Sequence, residues 1–600
     1  MPVLPNSFLL YLLAIAILPN IEAVYGQPSG GPYGPTQRTY EVPGDAGHVY
    51  YAAPDGNSEA QGETVDNPIT IEAAFSRVVS GDVIILRGGT YRTGNLQLNQ
   101  GISLQPYEND RPILNGTKVA TEWEKVGNGL WRTKWSTLFP SAPQDWWRRE
   151  REAARTPLYK FNNDMVFVDG HLLDAVGWAG EVDRDSYWID YDKGYIYIGI
   201  NPHDRLVEIT AFDSAIVRTK DEVYGRTSDR KGPAIHGITF TQYAYRAIEI
   251  EGKDPEGVSP ENEHGKDVVG TTLENCTISF CSRVAGYFRG DHLTIRNCLI
   301  TDTGTEGIYV LSSNDVLLER NIITRTNIEN ITGYYASAVK IFNQCHRVTC
   351  RQNLIIDNSN GTSGIWCDVG EVDGVFVGNW VERTDNGFFF ELSQGAICAG
   401  NIFIDCGTGI KILNAADVKV YQNTFVNSMA WFERTPRSAV GDHFGWHPAT
   451  GPDVDDREGH EFVGNLLVAD ERFERPLVVF AQTATLRDQL TQPQVKALDH
   501  NVYVRRREVG NTPPSIYDVP TDFQTPAELH THNKAFESNS LNFNNYFGPL
   551  FQGEQLSRFE LLGGFPGAAS AAPLPVEIGK LLNRKGNTMP FPGAFPVVGQ

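Results

Sequence analysis

Along the middle of this 600-residue chain one short pattern keeps returning: an apolar residue, two spacers, Asn or Cys, one spacer, an apolar residue. It centres on Cys276, Cys298, Asn321, Asn353, Asn379, Asn401, Asn423 and Asn465, at spacings of 22, 23, 32, 26, 22, 22 and 42 residues. Leu273 and Ile278 flank the first centre, Phe376 and Val381 the fifth, Val420 and Phe425 the seventh. A unit of about 22 residues, made of short alternating apolar runs without helical period, predicts a solenoid of β-strands. Each coil would stack on the last at roughly 4.8 Å, so equivalent residues form ladders along the axis. Asn at a turn can bond to backbone groups and to the next Asn of its ladder, and Cys276 and Cys298 would continue it. The Leu-x-x-Leu-x-Leu consensus of leucine-rich repeats is absent, and Asn, Gly, Thr and β-branched residues disfavour a helical repeat. The fold class is therefore all-β, a parallel β-helix, with long spacings marking inserted loops.

The flanks divide the chain. Phe8 to Leu18 is an 11-residue apolar run, too short to span a bilayer and followed by the small residues Ala23 and Gly26. It predicts a signal peptide over 1–26 and a secreted, periplasmic or cell-surface protein. Residues 46–118 hold an N-terminal cap and the first coils. Pro68 to Val79 reads as an amphipathic helix with Pro in its first turn, and Gly81 to Leu86 and Gly89 to Arg92 as the first strands. Residues 119–212 break the repeat and carry seven of the eleven Trp: Trp123, Trp131, Trp135, Trp146, Trp147, Trp178 and Trp188. Tyr187 to Ile198 reads as a hairpin turning at Asp192-Lys193-Gly194, so an inserted β-sandwich-like domain packed on the first coils is expected, its Trp mostly core. The main β-helix spans 213–510 and a C-terminal capping segment 511–600. Residues 252–267 and 426–460 read as loops inserted between coils. All eight Cys fall between Cys276 and Cys406, mostly at repeat positions that point inward, which predicts buried thiols rather than a disulfide framework.

A formal charge of -22 argues against nucleic acid or an anionic membrane as partner. A polyanionic substrate would need a local basic patch or a metal. A carbohydrate substrate suits the 11% aromatic content.

In a β-helix the bore is filled with side chains, so a ligand site must lie on the outward face, at every second strand residue. Five strands align after a Gly or Ala: Gly307-Ile-Tyr-Val, Ala338-Val-Lys-Ile-Phe, Gly364-Ile-Trp-Cys-Asp, Gly387-Phe-Phe-Phe-Glu and Gly409-Ile-Lys-Ile-Leu. One outward column is then Tyr309, Lys340, Trp366, Phe389 and Lys411; the next is Leu311, Phe342, Asp368, Glu391 and Leu413. Asp368 and Glu391 are 23 residues apart, one coil. Like charges stacked as neighbours destabilise a sheet, and their column offers only Phe342 and Leu413, so the pair is expected to stand without a counter-ion. Retaining glycosidases hold their two carboxyl groups about 5–5.5 Å apart, close to one coil. One carboxylate would attack the anomeric carbon, and the other protonate the leaving oxygen and later deprotonate water. Trp366 and Phe389 could stack a sugar ring. Lys340, Lys411 and Tyr309 complete the expected substrate-binding surface.

Gly364-Ile-Trp-Cys-Asp368, followed one coil later by Gly387-Phe-Phe-Phe-Glu391-Leu-Ser-Gln-Gly395, resembles the active-site pair of glycoside hydrolase family 120. Residues 50–116 and Pro592-Gly593-Ala594-Phe595 likewise resemble the opening and closing segments of bacterial β-helix carbohydrate-active proteins. The resemblance implies a right-handed parallel β-helix (a pectate-lyase-like solenoid) with a β-sandwich-like flank and a retaining glycosidase of the β-xylosidase type. It implies Asp368 as nucleophile and Glu391 as acid/base, without cofactor or metal. Where the family tends to have His before the Gly, Gln394 stands.

The insertion 426–460 contains Arg434, Asp442, His443, Trp446, His447, Asp453, Asp455 and Asp456. Arg434-Thr435-Pro436 and His447-Pro448 resemble a His- and Pro-containing insertion of the family that approaches the sugar, which places Trp446 and His447 among substrate-binding residues. Zinc at His443 and His447 is disfavoured because Pro448 breaks the helix that would align them. Two other functions stay open. A β-helix polysaccharide lyase would need Ca²⁺ and a base, for which Lys340 is placed. A non-catalytic carbohydrate-binding surface protein would use the aromatic column alone.

Overall fold

The computed structural model describes residues 33–138, 156–331 (without 256 and 258), 336–358, 361–437, 457–506, 514–570 (without 555 and 557), 574–584 and 591–598. The predicted signal peptide, Trp146, Trp147 and the segment 438–456 with Trp446 and His447 lie outside them.

The chain forms a right-handed parallel β-helix of three long sheets, each of 13 strands. Each coil visits the sheets in one order, as in Leu317–Glu319 (sheet 1), Ile322–Thr326 (sheet 2) and Ser337–Phe342 (sheet 3). The turn from sheet 1 to sheet 2 carries the Asn ladder. The Asn321 backbone N–H and side-chain amide both donate to Asn353 Oδ1, at 3.0 Å each. The pattern repeats from Asn353 to Asn379, Asn401, Asn423 and Asn465. It then runs one rung further, to Asn501, which the repeat spacing did not single out. Cys298 N–H caps the ladder on Asn321 Oδ1 at 2.9 Å. The residue before each Asn holds a left-handed backbone, as in Arg320 (φ 54°) and Gln352 (φ 54°), which makes the turn sharp. The ladder so satisfies buried backbone groups that would otherwise cost about 1–3 kcal/mol each.

Ile, Leu, Val, Phe and all eight Cys fill the bore. The thiols are unpaired and buried; burial pushes Cys281 and Cys345 up to about 12. Small residues open the sheet 3 strands of the central coils, from Gly286 to Ala430, because adjacent coils approach closely there. A Cβ on Gly364 would lie 2.5 Å from Gly387 O, and one on Gly387 2.6 Å from Gly409 O.

The helix near the N-terminus is shorter than expected, Ile71–Arg77, and begins at Thr70, whose Oγ1 accepts from Ala73 N–H. Pro68 thus lies before the helix rather than in its first turn. Residues 117–210 supply a four-stranded and a five-stranded sheet around their own core. The expected hairpin pairs Tyr187 with Ile198 and Asp190 with Tyr195. Trp123, Trp131 and Trp135 pack on that core, whereas Trp178 is 61% exposed. This unit rests on the first coils through Arg92–Glu208, and also further along, with Phe167 against Phe280 and Lys160 paired to Glu329 at 2.7 Å.

The coils run past residue 510: Ile516–Asp518 and Leu541–Phe543 still pair in sheets 3 and 2. Phe523, Leu529 and Phe536 close the bore. The remaining chain turns back along sheet 2, where Phe559 and Phe595 pack on Trp380 and Ala594 N–H donates to Thr424 Oγ1. The Pro592-Gly593-Ala594-Phe595 segment therefore straps the side of the helix rather than plugging its end.

Candidate active site

The strand alternation holds on sheet 3. Ile365, Cys367, Phe388 and Phe390 point into the bore, whereas Phe342 and Leu311 belong to a separate outer cluster. The backbone register sets Lys340 beside Trp366, Trp366 beside Phe389, and Phe389 beside Lys411. In the next column Phe342, Asp368, Glu391 and Leu413 follow one another. Asp368 and Glu391 are thus direct neighbours on adjacent parallel strands, whose spacing is about 4.8 Å.

The pair does not stand without counter-ions. Lys340 Nζ reaches diagonally from the neighbouring column to Asp368 Oδ2, at 2.8 Å. Arg437 pairs with Glu391 Oε1. The column itself contains only Phe342 and Leu413, as expected, but a four-carbon lysine stem and a loop arginine bring charge in from outside it. Arg437 follows the strand Ala430–Arg434 and is held by Asn414. Asn414 Nδ2 donates to Arg437 O and to Thr435 Oγ1, both at 2.8 Å, and Asn414 Oδ1 accepts from Thr435 N–H.

Trp366 and Phe389 are not open platforms. Their rings stack on each other along the helix axis, with centroids 4.9 Å apart and planes 21° apart, which matches the coil repeat. Lys340 Nζ caps the Trp366 ring at 3.1 Å and Lys411 Nζ the Phe389 ring at 5.0 Å. Cations and the partner ring occupy the faces a sugar would need. Trp366 instead donates its indole N–H to Glu391 Oε2 at 3.2 Å. Tyr309 packs edge-on against Tyr287, at 4.9 Å, beside the apolar cluster of Leu311, Phe342, Val369 and Leu392.

The site is dry. Asp368 is 9% exposed and Glu391 2%. Asp368 Oδ1, the oxygen not held by Lys340, is buried and has no hydrogen-bond partner among the described residues. Burial pulls the Lys340 ammonium down against the opposing pull of Asp368. Glu306, buried within the field of Lys340, is pushed up to about 7 by burial. Backbone strain marks the same place. The residue after each outward column position is left-handed; it is Asn343 and Asn414 in the flanking coils, but Val369 (φ 63°) and Leu392 (φ 49°) after the two carboxylates. A β-branched residue in this region costs of order 1–3 kcal/mol, and such outliers cluster at functional sites. Here the strain turns Val369 and Leu392 into the apolar wall beside the carboxylates.

Arg437 and Glu306 escaped sequence reasoning. Arg437 lies one residue past the Arg434-Thr435-Pro436 stretch singled out there, and Glu306 directly precedes Gly307 of the aligned strands. Arg434 itself is a structural residue, 1% exposed along its side chain, donating to Arg457 O at 2.7 Å and Gln492 O at 2.8 Å. The loop 252–267 flanks the site. Asp254 holds Arg289 in a bidentate pair, and Ser259 N–H and His264 bind Gln344, two residues past Phe342.

A family model for the right-handed β-helix region matches residues 260–425. Among solved structures the chain is similar to the complex of XylC with xylose, at 15% identity over 84% of this chain and 87% of that one, TM-score 0.54. It is also similar to a glycoside hydrolase, at 10% identity over 83% and 96% of the two chains, TM-score 0.41. A third similarity is to pectate lyase Pel9A, at 11% identity over 92% and 97%, TM-score 0.34. At these identities the likeness is one of fold. No curated protein sequence matches the chain.

Proposed function

We propose that this protein is an exported retaining glycosidase, with Asp368 as nucleophile and Glu391 as general acid/base. The observation that carries the proposal is the in-register pairing of the two carboxylates one strand apart, each with different partners. In the first half-reaction Asp368 Oδ1 would bond to the anomeric carbon as the glycosidic C–O bond breaks. The Glu391 proton goes to the departing oxygen, for which Arg437 must first leave Oε1. In the second, Glu391 takes a proton from water as the water oxygen displaces Asp368, returning both groups to their starting states. The resemblance to glycoside hydrolase family 120 and the xylose of the XylC complex favour a β-xyloside as first substrate to try.

A β-helix lyase would use Lys340 as its base. The Lys340 ammonium is bonded to Asp368 Oδ2 and held on the Trp366 ring, and would have to leave both before it could take a uronate proton. The deciding experiment is a panel of aryl glycosides, xylan, pectate and alginate, followed for reducing ends and for the ultraviolet absorbance of unsaturated uronates, with the anomeric product read by NMR. Retained configuration is expected, with turnover abolished in Asp368→Asn. In Glu391→Gln, substrates with poor leaving groups should suffer most. Inverted product, or unsaturated uronate, would overturn the assignment.

A further inference from the structure

Trp366 and Lys340 fail as a sugar platform, yet together they touch both carboxylates. Lys340 Nζ lies 2.8 Å from Asp368 Oδ2 and 3.1 Å from the centre of the Trp366 ring. The same indole donates to Glu391 Oε2 at 3.2 Å. Asp368, Lys340, Trp366 and Glu391 thus form one continuous chain, buried throughout. We propose that Lys340 and Trp366 are positioning residues that hold two adjacent carboxylates in different environments, Lys340 through a charge on Asp368 Oδ2 and Trp366 through a neutral hydrogen bond on Glu391 Oε2. The proposal rests on the glycosidase reading for its kinetic consequence but not for its physical content.

Two carboxylates one strand apart need something to separate their roles, because repulsion alone would leave the proton shared. The two partners differ in kind. Lys340 supplies a full charge and a hydrogen bond to Asp368; Glu391 takes a neutral donor, Trp366, on Oε2 and the Arg437 cation on Oε1. The partners also direct the oxygens. Lys340 occupies Asp368 Oδ2 and leaves Oδ1 for the anomeric carbon. Trp366 occupies Glu391 Oε2 and leaves Oε1 for the glycosidic oxygen once Arg437 withdraws. Phe389 stacks on the indole without a hydrogen bond to either carboxylate, and Lys411 caps the far end of the stack. Among the described residues the charged groups around the pair are Lys340 and Glu306 on the preceding coils, Lys411 and Glu433 on the following ones, Arg437 from the loop and Arg457 behind Asn414.

The test is a set of single variants in the full chain, first checked for an unchanged thermal transition. Lys340→Met removes the cation beside Asp368, so the acidic limb of the kcat/KM profile should move to higher pH by about one unit. Trp366→Phe keeps the ring and removes the N–H, so the alkaline limb should move up by about one unit while the acidic limb stays. Lys340→Arg should restore most of the acidic limb. Phe389→Leu, which disturbs the stack and removes no hydrogen bond, should move neither limb appreciably. Infrared titration of the carboxyl bands, assigned by their loss in Asp368→Asn and Glu391→Gln, reads the same displacements without turnover. Absence of glycosidase activity would therefore sink the functional reading while the infrared result still decides the clamp. Unmoved bands in Lys340→Met and Trp366→Phe, or an equal movement in Phe389→Leu, would overturn it. Should Lys340→Met fail to fold, Trp366→Phe alone decides for Glu391 and Lys340→Gln for Asp368.

Discussion

Replacing Glu371 by Gln should stabilise the protein in a pH-dependent way. Glu371 follows the turn after Asp368 and is 1% exposed, and apart from the adjacent Cys367 thiol its carboxyl has no hydrogen-bond partner among the described residues. The Cys367 thiol is near it, and burial outweighs that thiol and pushes the acid from 4.5 up to about 8. In the unfolded chain the group gives up its proton near 4.5; in the fold it keeps the proton to about 8. Between these values the folded state binds one more proton than the unfolded state, so its stability falls as pH rises. The contribution is intact below about 4.5, is lost progressively, and levels off above about 8. At about 1.4 kcal/mol per pH unit the whole loss is of order 5 kcal/mol. Gln is isosteric and cannot ionise. The stability gap between Glu371→Gln and wild type should therefore be several kcal/mol larger at pH 8.5 than at pH 4.5, read by denaturant unfolding of both proteins in parallel. Other buried acids, Glu306 and Glu537, each at about 7, titrate alike in both proteins and cancel from the difference. A gap independent of pH would refute the argument, because it would mean that Glu371 ionises alike in both states.

Two further predictions concern the frame. Asn401→Leu removes a side chain that accepts from Asn379 twice and donates to Phe376 O and Asn423, at 2.9–3.0 Å. It should cost about 3–5 kcal/mol in denaturant unfolding, and an unchanged midpoint would contradict the ladder's role. Gly387→Ala puts a Cβ 2.5 Å from Phe403 Cδ1 and 2.6 Å from Gly409 O at the root of the Glu391 strand. It should cost about 1–3 kcal/mol and lower activity beyond what lost folding explains, measured as specific activity of the folded fraction; full activity would show that the strand root is slack.

The frame was legible because a β-helix writes itself in sequence at two periods. The coil period set the Asn ladder, and the strand period of two separated Ile365 and Cys367 in the bore from Trp366 and Asp368 outside it. The one-coil register of the carboxylates followed from the Gly that opens each strand, a position where the next coil leaves no room for Cβ. The partners of the carboxylates were not legible. Lys340 was visible as a column neighbour, but whether its amine reaches water or Asp368 depends on side-chain torsions and on the burial around it. Arg437 depends on a loop stem whose path is fixed by Asn414, a contact with no period to announce it. Aromatic residues at successive coils read equally well as sugar platforms or as a stack, and only the ring planes distinguish the two.

The division between bore and outer face also explains why strain gathers where it does. Stability comes from the bore and the Asn ladder, which are continuous from coil to coil and tolerate a local penalty on the outside. After the five sheet 3 strands from Ile308–Leu311 to Thr408–Leu413 the backbone turns left-handed, and Asn does this at least cost in the coils of Phe342 and Leu413. Val369 and Leu392 make the same turn at a higher cost, in the two coils that carry Asp368 and Glu391. Asn at those positions would relieve strain but set a polar amide beside the pair. Val and Leu close an apolar wall with Phe342 and Leu311. A drier wall strengthens the bonds from Lys340 and Trp366, because the same charges interact more strongly where water is excluded. The backbone penalty and the electrostatics of the pair are therefore coupled through two side chains. Val369→Asn should raise the unfolding midpoint or leave it unchanged, while weakening turnover; a variant both less stable and fully active would separate the strain from the site.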